Sequence, residues 1–336
     1  MSEPTIDADI AKWLVRTSPN GEPTSNSEAR ELSRTNHALA IAQMNPALIP
    51  ASEVDDEIPG PAGQLPIRVL RPAGEGPKPT VVYLHGGGWV IGDLDSHLGH
   101  ARRICTQADA VVVSIGYRLA PENRFPAAFD DAVAATEWAH RNLAELGGDG
   151  QPLIVAGDSV GGQLAASVAI ARRDAGLPLA AQLLLYPVID AAGRYTDTAV
   201  NDYFMSRRTT NRNLGLTLQG MRDYAEHYVD AEQSADWRVS PLRAADLSGL
   251  APAVIHTATL DVLRTEGNFY ADALRRAGVR VISREWPTLN HSYFGLGGVS
   301  AVADGAAAQA AEDLHDLLNG GGTTEAPPER PLPSYP

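Results

Sequence analysis

The stretch PLIVAGDSVGGQLAASVAIARR, residues 152–173, runs from an apolar segment into one serine set among glycines, then into a helix-compatible segment. A serine on a sharp turn between a strand and a helix stands clear of the sheet. Its backbone is strained there, and a Cβ two residues to either side would collide with the turn. Gly157 and Gly161 meet that steric demand around Ser159. The helix expected at about 160–174 directs its first N–H groups at the space beside the serine oxygen, a favourable place for negative charge. The pattern G-x-S-x-G is a weak signal alone; its position between strand and helix gives it meaning.

Outward from this turn the same rhythm repeats. Apolar runs occur at TVVYLH (80–85), AVVVSIGY (110–117), AQLLLYPVID (181–190), PAVIHTAT (252–259) and VRVISREWP (279–287). They are continuous rather than alternating, as in strands buried on both faces of a parallel sheet. Helix candidates at 125–146 and 264–278 lie between them, the second closed by Gly278. This order predicts a three-layer α/β sandwich. VDDEIPG and QLPIRVLRP upstream read as edge strands joined by a Pro/Gly turn.

Two regions depart from the rhythm. Residues 1–50 hold two amphipathic helix candidates, with Ile6, Ile10, Trp13 and Leu14 on one face of the first and Leu32 and Leu39 on the second. Residues 191–240 form a polar, helix-like insertion. Both are expected to pack as a lid over the C-terminal ends of the strands, where open α/β sheets bind ligands; the alternative is that they cover exposed sheet or form a dimer contact. The core then comprises 51–190 and 241–319. Residues 320–336 read as a disordered tail; its PxxP could serve as a ligand for a proline-binding module, but solvated chain is the expectation.

The chain has 336 residues and a net charge of −14, which disfavours nucleic acid or an anionic membrane surface as partner. No apolar run is long enough to span a bilayer. The acidic N-terminal stretch lacks signal-peptide features, and the single cysteine, Cys105, permits no intrachain disulfide. A cytoplasmic protein is the expectation.

A serine hydroxyl needs a base, and the base an orienting acid. In this fold they follow the serine in the order acid, then histidine, each after a later strand. Asp261 follows PAVIHTAT and His291 follows VRVISREWP, so both are expected at the same sheet edge as Ser159. Glu266 is the rival acid, but it falls a turn into the next helix. His97 and His100 could bind metal, yet no third ligand is in view, and no metal or cofactor is expected. His37, His140, His227, His256 and His315 read as structural. HGGGW (85–89) supplies consecutive glycines whose N–H groups can approach a ligand. Gly87, Gly88 and Val160 are the expected oxyanion donors, with Gly86 as a substitute for one of them.

HGGGW, YRLAPENRFPAAFDD (117–131), GDSVGG (157–162), SPL (240–242), DVLRTEG (261–267) and NHSYF (290–294) together resemble the hormone-sensitive-lipase group of α/β-hydrolases, the bacterial family IV esterases. That resemblance spans about residues 53–318. It implies an eight-stranded, mostly parallel sheet, a helical cap, and carboxylic ester hydrolysis without cofactor by Ser159, Asp261 and His291. It also implies that His85 anchors the oxyanion loop. The chain departs from the group's usual pattern at Val160, Val262, Thr265, Ser292 and Tyr293, which bears on substrate preference and pH profile.

The expected substrate is a small-molecule ester of short to medium acyl chain, with Trp89, Tyr195, Tyr203 and Phe204 narrowing the pocket or else serving as packing. An amidase or deacetylase on the same scaffold is the alternative enzyme. A receptor-like binding protein is the non-catalytic reading, against which His291 speaks. The last strand could pair with its twin in a homodimer.

Overall fold

The structure, a computed structural model, describes residues 5–17, 23, 25–177, 179–210 and 214–328. An eight-stranded sheet runs through it in the order β1-β2-β4-β3-β5-β6-β7-β8. The strands are β1 (Ser52–Gly60), β2 (Gly63–Arg71), β3 (Thr80–Leu84), β4 (Val111–Ile115), β5 (Leu153–Asp158), β6 (Ala181–Leu185), β7 (Ala253–Leu260) and β8 (Val281–Asn290). β1 pairs antiparallel with β2 and β2 antiparallel with β4; the other pairs are parallel. Every residue of β3, β4, β5 and β6 is buried, which is why their sequences are unbroken apolar runs. β2 is not the edge strand its sequence suggested. It lies between β1 and β4, and its alternating burial reflects one half-covered face.

Successive residues of one strand feed two cores. Val82 and Leu84 of β3 belong to a core shared with α4 (Ala127–Arg141), α6 (Val160–Asp174) and α10 (Arg264–Arg276). Val81 and Tyr83 belong to a second, shared with α1 (Ala8–Thr17), α3 (Leu98–Gln107) and α11 (Ala301–Leu318). The predicted three layers are present. A short helix, α5 (Leu143–Leu146), follows α4 and ends at Gly147 in the left-handed region.

α1 buries Ile10 and Trp13 as its periodicity predicts. α2 (Asn26–Ile41) does not bury Leu39, which is 38% exposed; Ser33 and Ala40 are its buried positions. The face is set by polar anchors instead. Arg30 donates to the carbonyls of Val90 and Ala120, and Arg34 pairs with Asp93, so α2 grips the chain that follows HGGGW. The 191–240 segment contains α7 (Thr198–Tyr203), α8 (Ser206–Thr209) and α9 (Leu218–Tyr228), of which α7 and α9 join the first core.

β8 is the sheet edge, but its first residue is occupied. Thr323 and Val281 exchange two backbone hydrogen bonds, so the segment expected to be a disordered tail begins as a paired one. The bond-donating groups of an edge strand favour such cover. The last PxxP lies in 329–336, outside the described residues. Among the described residues no helix is long and apolar enough to cross a membrane.

Candidate active site

Ser159 stands between β5 and α6 with φ 55° and ψ −121°, the strained turn its glycines predict. A Cβ on Gly157 would lie 2.2 Å from the Gly161 carbonyl oxygen. One on Gly161 would lie 1.9 Å from the Leu84 carbonyl oxygen. The second contact does more than permit the turn. It presses the serine elbow against the end of β3, where HGGGW begins.

The two partners arrive from the neighbouring strand ends. Asp261 follows β7 and His291 follows β8. His291 Nε2 lies 2.9 Å from Ser159 Oγ, across 132 residues of sequence. His291 Nδ1 lies 2.8 Å from Asp261 Oδ2, while Asp261 Oδ1 accepts the Leu263 N–H. A carboxylate accepts, so Nδ1 carries the proton and Nε2 is left to accept from the serine hydroxyl. All three side chains are buried. Glu266 is nowhere in this line; it pairs with Arg207 and accepts the Ile189 N–H.

The glycine loop is held from several sides. His85 Nδ1 donates to the Gly86 carbonyl at 2.7 Å, and the ring stacks on Tyr117 at 4.2 Å. Burial pulls the His85 imidazole down to about 4, so it is neutral at ordinary pH. Gly87 and Gly88 have φ 119° and 61°, conformations a side chain resists. Among the described residues, no acceptor takes the N–H of either glycine, and the N–H of Val160 is an unpaired first-turn donor of α6. The N–H of Gly86 is not free, contrary to its expected role as a substitute donor. It donates to Asp158 Oδ1 at 2.8 Å, because Asp158 sits directly beneath the loop.

The expected pocket aromatics are spent in packing. Trp89 is fully buried, stacks on Tyr228 at 4.5 Å and donates its indole N–H to Gln163. Tyr195 and Phe204 are fully buried on either side of the Arg207 guanidinium, 4.3 and 4.6 Å from it. Tyr203 keeps some exposure and stacks on Phe269. Tyr224 of α9, not among the residues singled out from the sequence, covers the loop; a Cβ on Gly88 would lie 2.2 Å from its ring.

Thr265, where the related pattern has an acid, is bonded into the same region. Its Oγ1 accepts the Ser206 N–H, and Ser206 Oγ donates to the Val262 carbonyl and accepts the Thr265 N–H. The 191–240 segment is thereby fastened to the loop that carries Asp261. A pocket of about 410 Å³, lined by Arg34, Asp93, His85 and Tyr117 among others, includes no triad candidate.

Asp158 was not among the residues the sequence singled out. Its Oδ1 takes the Tyr83 hydroxyl and the Gly86 N–H, and its Oδ2 faces His97 and His100 at 3.8 and 4.0 Å. The third group missing from the histidine pair in sequence is therefore present in space.

Residues 81–295 match the family model described as alpha/beta hydrolase fold. The chain is 42% identical over 278 residues to the carboxylic ester hydrolase LipN of Mycobacterium tuberculosis, covering 79% of this chain and 72% of that protein. It is 35% identical to an ethyl acetate hydrolase of Pseudomonas putida over 76% and 79% of the two chains. The hyperthermophilic esterase of Pyrobaculum calidifontis superposes with a TM-score of 0.84 at 32% identity, over 93% of this chain and 99% of that one. With the model spanning the sheet from β3 to the histidine loop, the chain belongs to the α/β-hydrolases, in the hormone-sensitive-lipase group.

Proposed function

We propose that the protein is a serine carboxylesterase acting on carboxylic esters of short to medium acyl chain. Ser159 Oγ attacks the ester carbonyl as its proton passes to His291 Nε2, while Asp261 holds the Nδ1–H and stabilises the imidazolium. The N–H groups of Gly87, Gly88 and Val160 receive the oxyanion. His291 returns the proton to the departing alcohol, leaving an acyl-enzyme on Ser159. Water then attacks the acyl carbon, giving its proton to His291; the acid leaves and the serine is restored.

The observation that carries this reading is the unbroken line from Asp261 through His291 to Ser159, at 2.8 and 2.9 Å, beside amides that have no acceptor among the described residues. It is supported by relatives named as ester hydrolases at 35–42% identity. The presence of His291 favours catalysis over a receptor-like role. An amide substrate would need the same acyl transfer, and the ester-named relatives favour the ester.

We further propose that α1, α2 and the 191–240 segment act together as a cap, and that the free part of the β8 edge pairs with a second copy; a dimer mass by light scattering tests the latter. The function is tested with p-nitrophenyl esters of graded length. Activity should peak below a twelve-carbon acyl chain, and Ser159→Ala should lose about 10³-fold or more in kcat. Full activity in Ser159→Ala, with no fluorophosphonate labelling of the wild type, would overturn the assignment.

A further inference from the structure

Beside the oxyanion loop, four histidines meet. Ring centroids of His97 lie 4.8 Å from His37, 5.2 Å from His85 and 4.8 Å from His100. Two of these rings face a carboxylate. His97 Nε2 and His100 Nε2 stand 3.8 and 4.0 Å from Asp158 Oδ2, too far for hydrogen bonds. All three residues are at most 4% exposed. His100 Nε2 is buried and has no hydrogen-bond partner among the described residues, a cost that a packed interior seldom carries without use.

We propose that His97, His100 and Asp158 bind one divalent transition-metal ion of the Zn²⁺ class, and that the bound ion slows the esterase by displacing the Asp158 carboxylate from the loop. Two imidazoles and one carboxylate form a donor set suited to Zn²⁺ and its neighbours. The imidazoles must be neutral to ligate, and both rings lie in the buried interior. The Asp158 charge offsets part of the ion's. Ser96 Oγ lies 3.1 Å from His97 Nδ1 and orients the ring from behind, as outer partners of ligating histidines do.

The donor atoms lie within 4.8 Å of one another. Tetrahedral Zn²⁺ with bonds near 2.0–2.1 Å sets donors about 3.3 Å apart, so the widest separation must close by up to about 1.5 Å. Contraction draws on Asp158, whose other oxygen holds Gly86 N–H and Tyr83 OH. Gly86 precedes the two glycines whose amides receive the oxyanion in the proposed mechanism. The inhibitory half of the inference rests on that mechanism; the binding half does not. A pocket that His85 lines, with Asp93 and Asp95 on its wall, borders the ring that lies 5.2 Å from His97, and it offers the ion an approach.

Chelator-treated full-length protein titrated with Zn²⁺ by calorimetry should bind one ion per chain. His100→Leu and, independently, His97→Asn should weaken that binding at least tenfold, while His291→Ala should not. Ser159→Ala, without turnover, should bind Zn²⁺ as the wild type does, so binding can be judged even if the esterase reading fails. In wild type, Zn²⁺ should lower kcat on p-nitrophenyl butyrate with KM held, EDTA should restore it, and His100→Leu should resist the loss. No bound ion in the wild type, or binding lost only in His291→Ala, overturns the site. Stoichiometric binding with kcat unchanged overturns the regulatory role.

Discussion

Asp158 Oδ1 accepts the N–H of Gly86 at 2.8 Å, so the residue preceding the nucleophile also holds the loop that faces it. The same oxygen takes the Tyr83 hydroxyl at 2.6 Å. Asp158→Asn keeps an acceptor oxygen for both donors, whereas Asp158→Ala removes it and leaves two buried donors unpaired. Asp158→Ala should lose about 10–100-fold in kcat with KM within a few-fold, and Asp158→Asn should fall less than tenfold. A merely structural role predicts instead that both variants lose folded protein in proportion to activity. Steady-state kinetics normalised to fluorophosphonate-titrated sites distinguish the two.

Gly87→Ala tests the loop directly. The glycine has φ 119°, and a Cβ there would lie 2.1 Å from the Ile91 carbonyl oxygen. The backbone cannot yield without turning the Gly87 and Gly88 amides away from the serine. Loss of one oxyanion donor costs about 10²–10³ in kcat. Gly87→Ala should reach at least that, with acylation slowed in a stopped-flow burst experiment and the overall fold retained by circular dichroism.

Most of the sheet was legible because burial on both faces writes itself as continuous apolar sequence, as in TVVYL and AQLLL. The triad candidates were legible because the fold orders them along the chain after successive strands. Depth was not. Trp89, Tyr195 and Phe204 have the same composition whether they line a pocket or fill a core, and only the surroundings of Arg207 and Gln163 decide it. Leu39 has helical spacing with Leu32, but the face of α2 is turned by Arg30 and Arg34, whose partners lie far along the chain. The pairing of Asp158 with Gly86, His97 and His100 is a through-space relation that periodicity does not carry.

Stability should depend on acid through Asp313. Burial alone would raise its pKa, but hydrogen bonds from His256, Arg284 and Gln309 outweigh it and hold the carboxyl well below the ordinary value. A depressed acid stabilises the fold above the unfolded-state pKa, near 4, and that stability is lost as pH falls through the folded value. Asp313→Asn should therefore be less stable than wild type at pH 7 by about 1.5–3 kcal/mol, the worth of hydrogen bonds to a charged group. The gap should narrow steadily below about pH 4. Urea unfolding at pH 7 and at pH 3 checks it; a gap independent of pH would remove the carboxylate's charge from the account.

The buried pair Arg207–Glu266 ties the 191–240 segment to the helix beyond Asp261, and both side chains are fully buried. Arg207 also donates to the Asp190 carbonyl and lies between the rings of Tyr195 and Phe204. Removing one charge strands the other in a low-dielectric interior, which costs about 3–5 kcal/mol, while replacing both with apolar groups is often neutral. Glu266→Gln and Arg207→Met should each lower the midpoint of urea unfolding markedly. The double variant Arg207→Met/Glu266→Leu should recover most of the loss, since no buried charge remains. If the double variant is as unstable as the sum of the singles, the pair contributes by shape and hydrogen bonding to Asp190 and Ile189 rather than by charge.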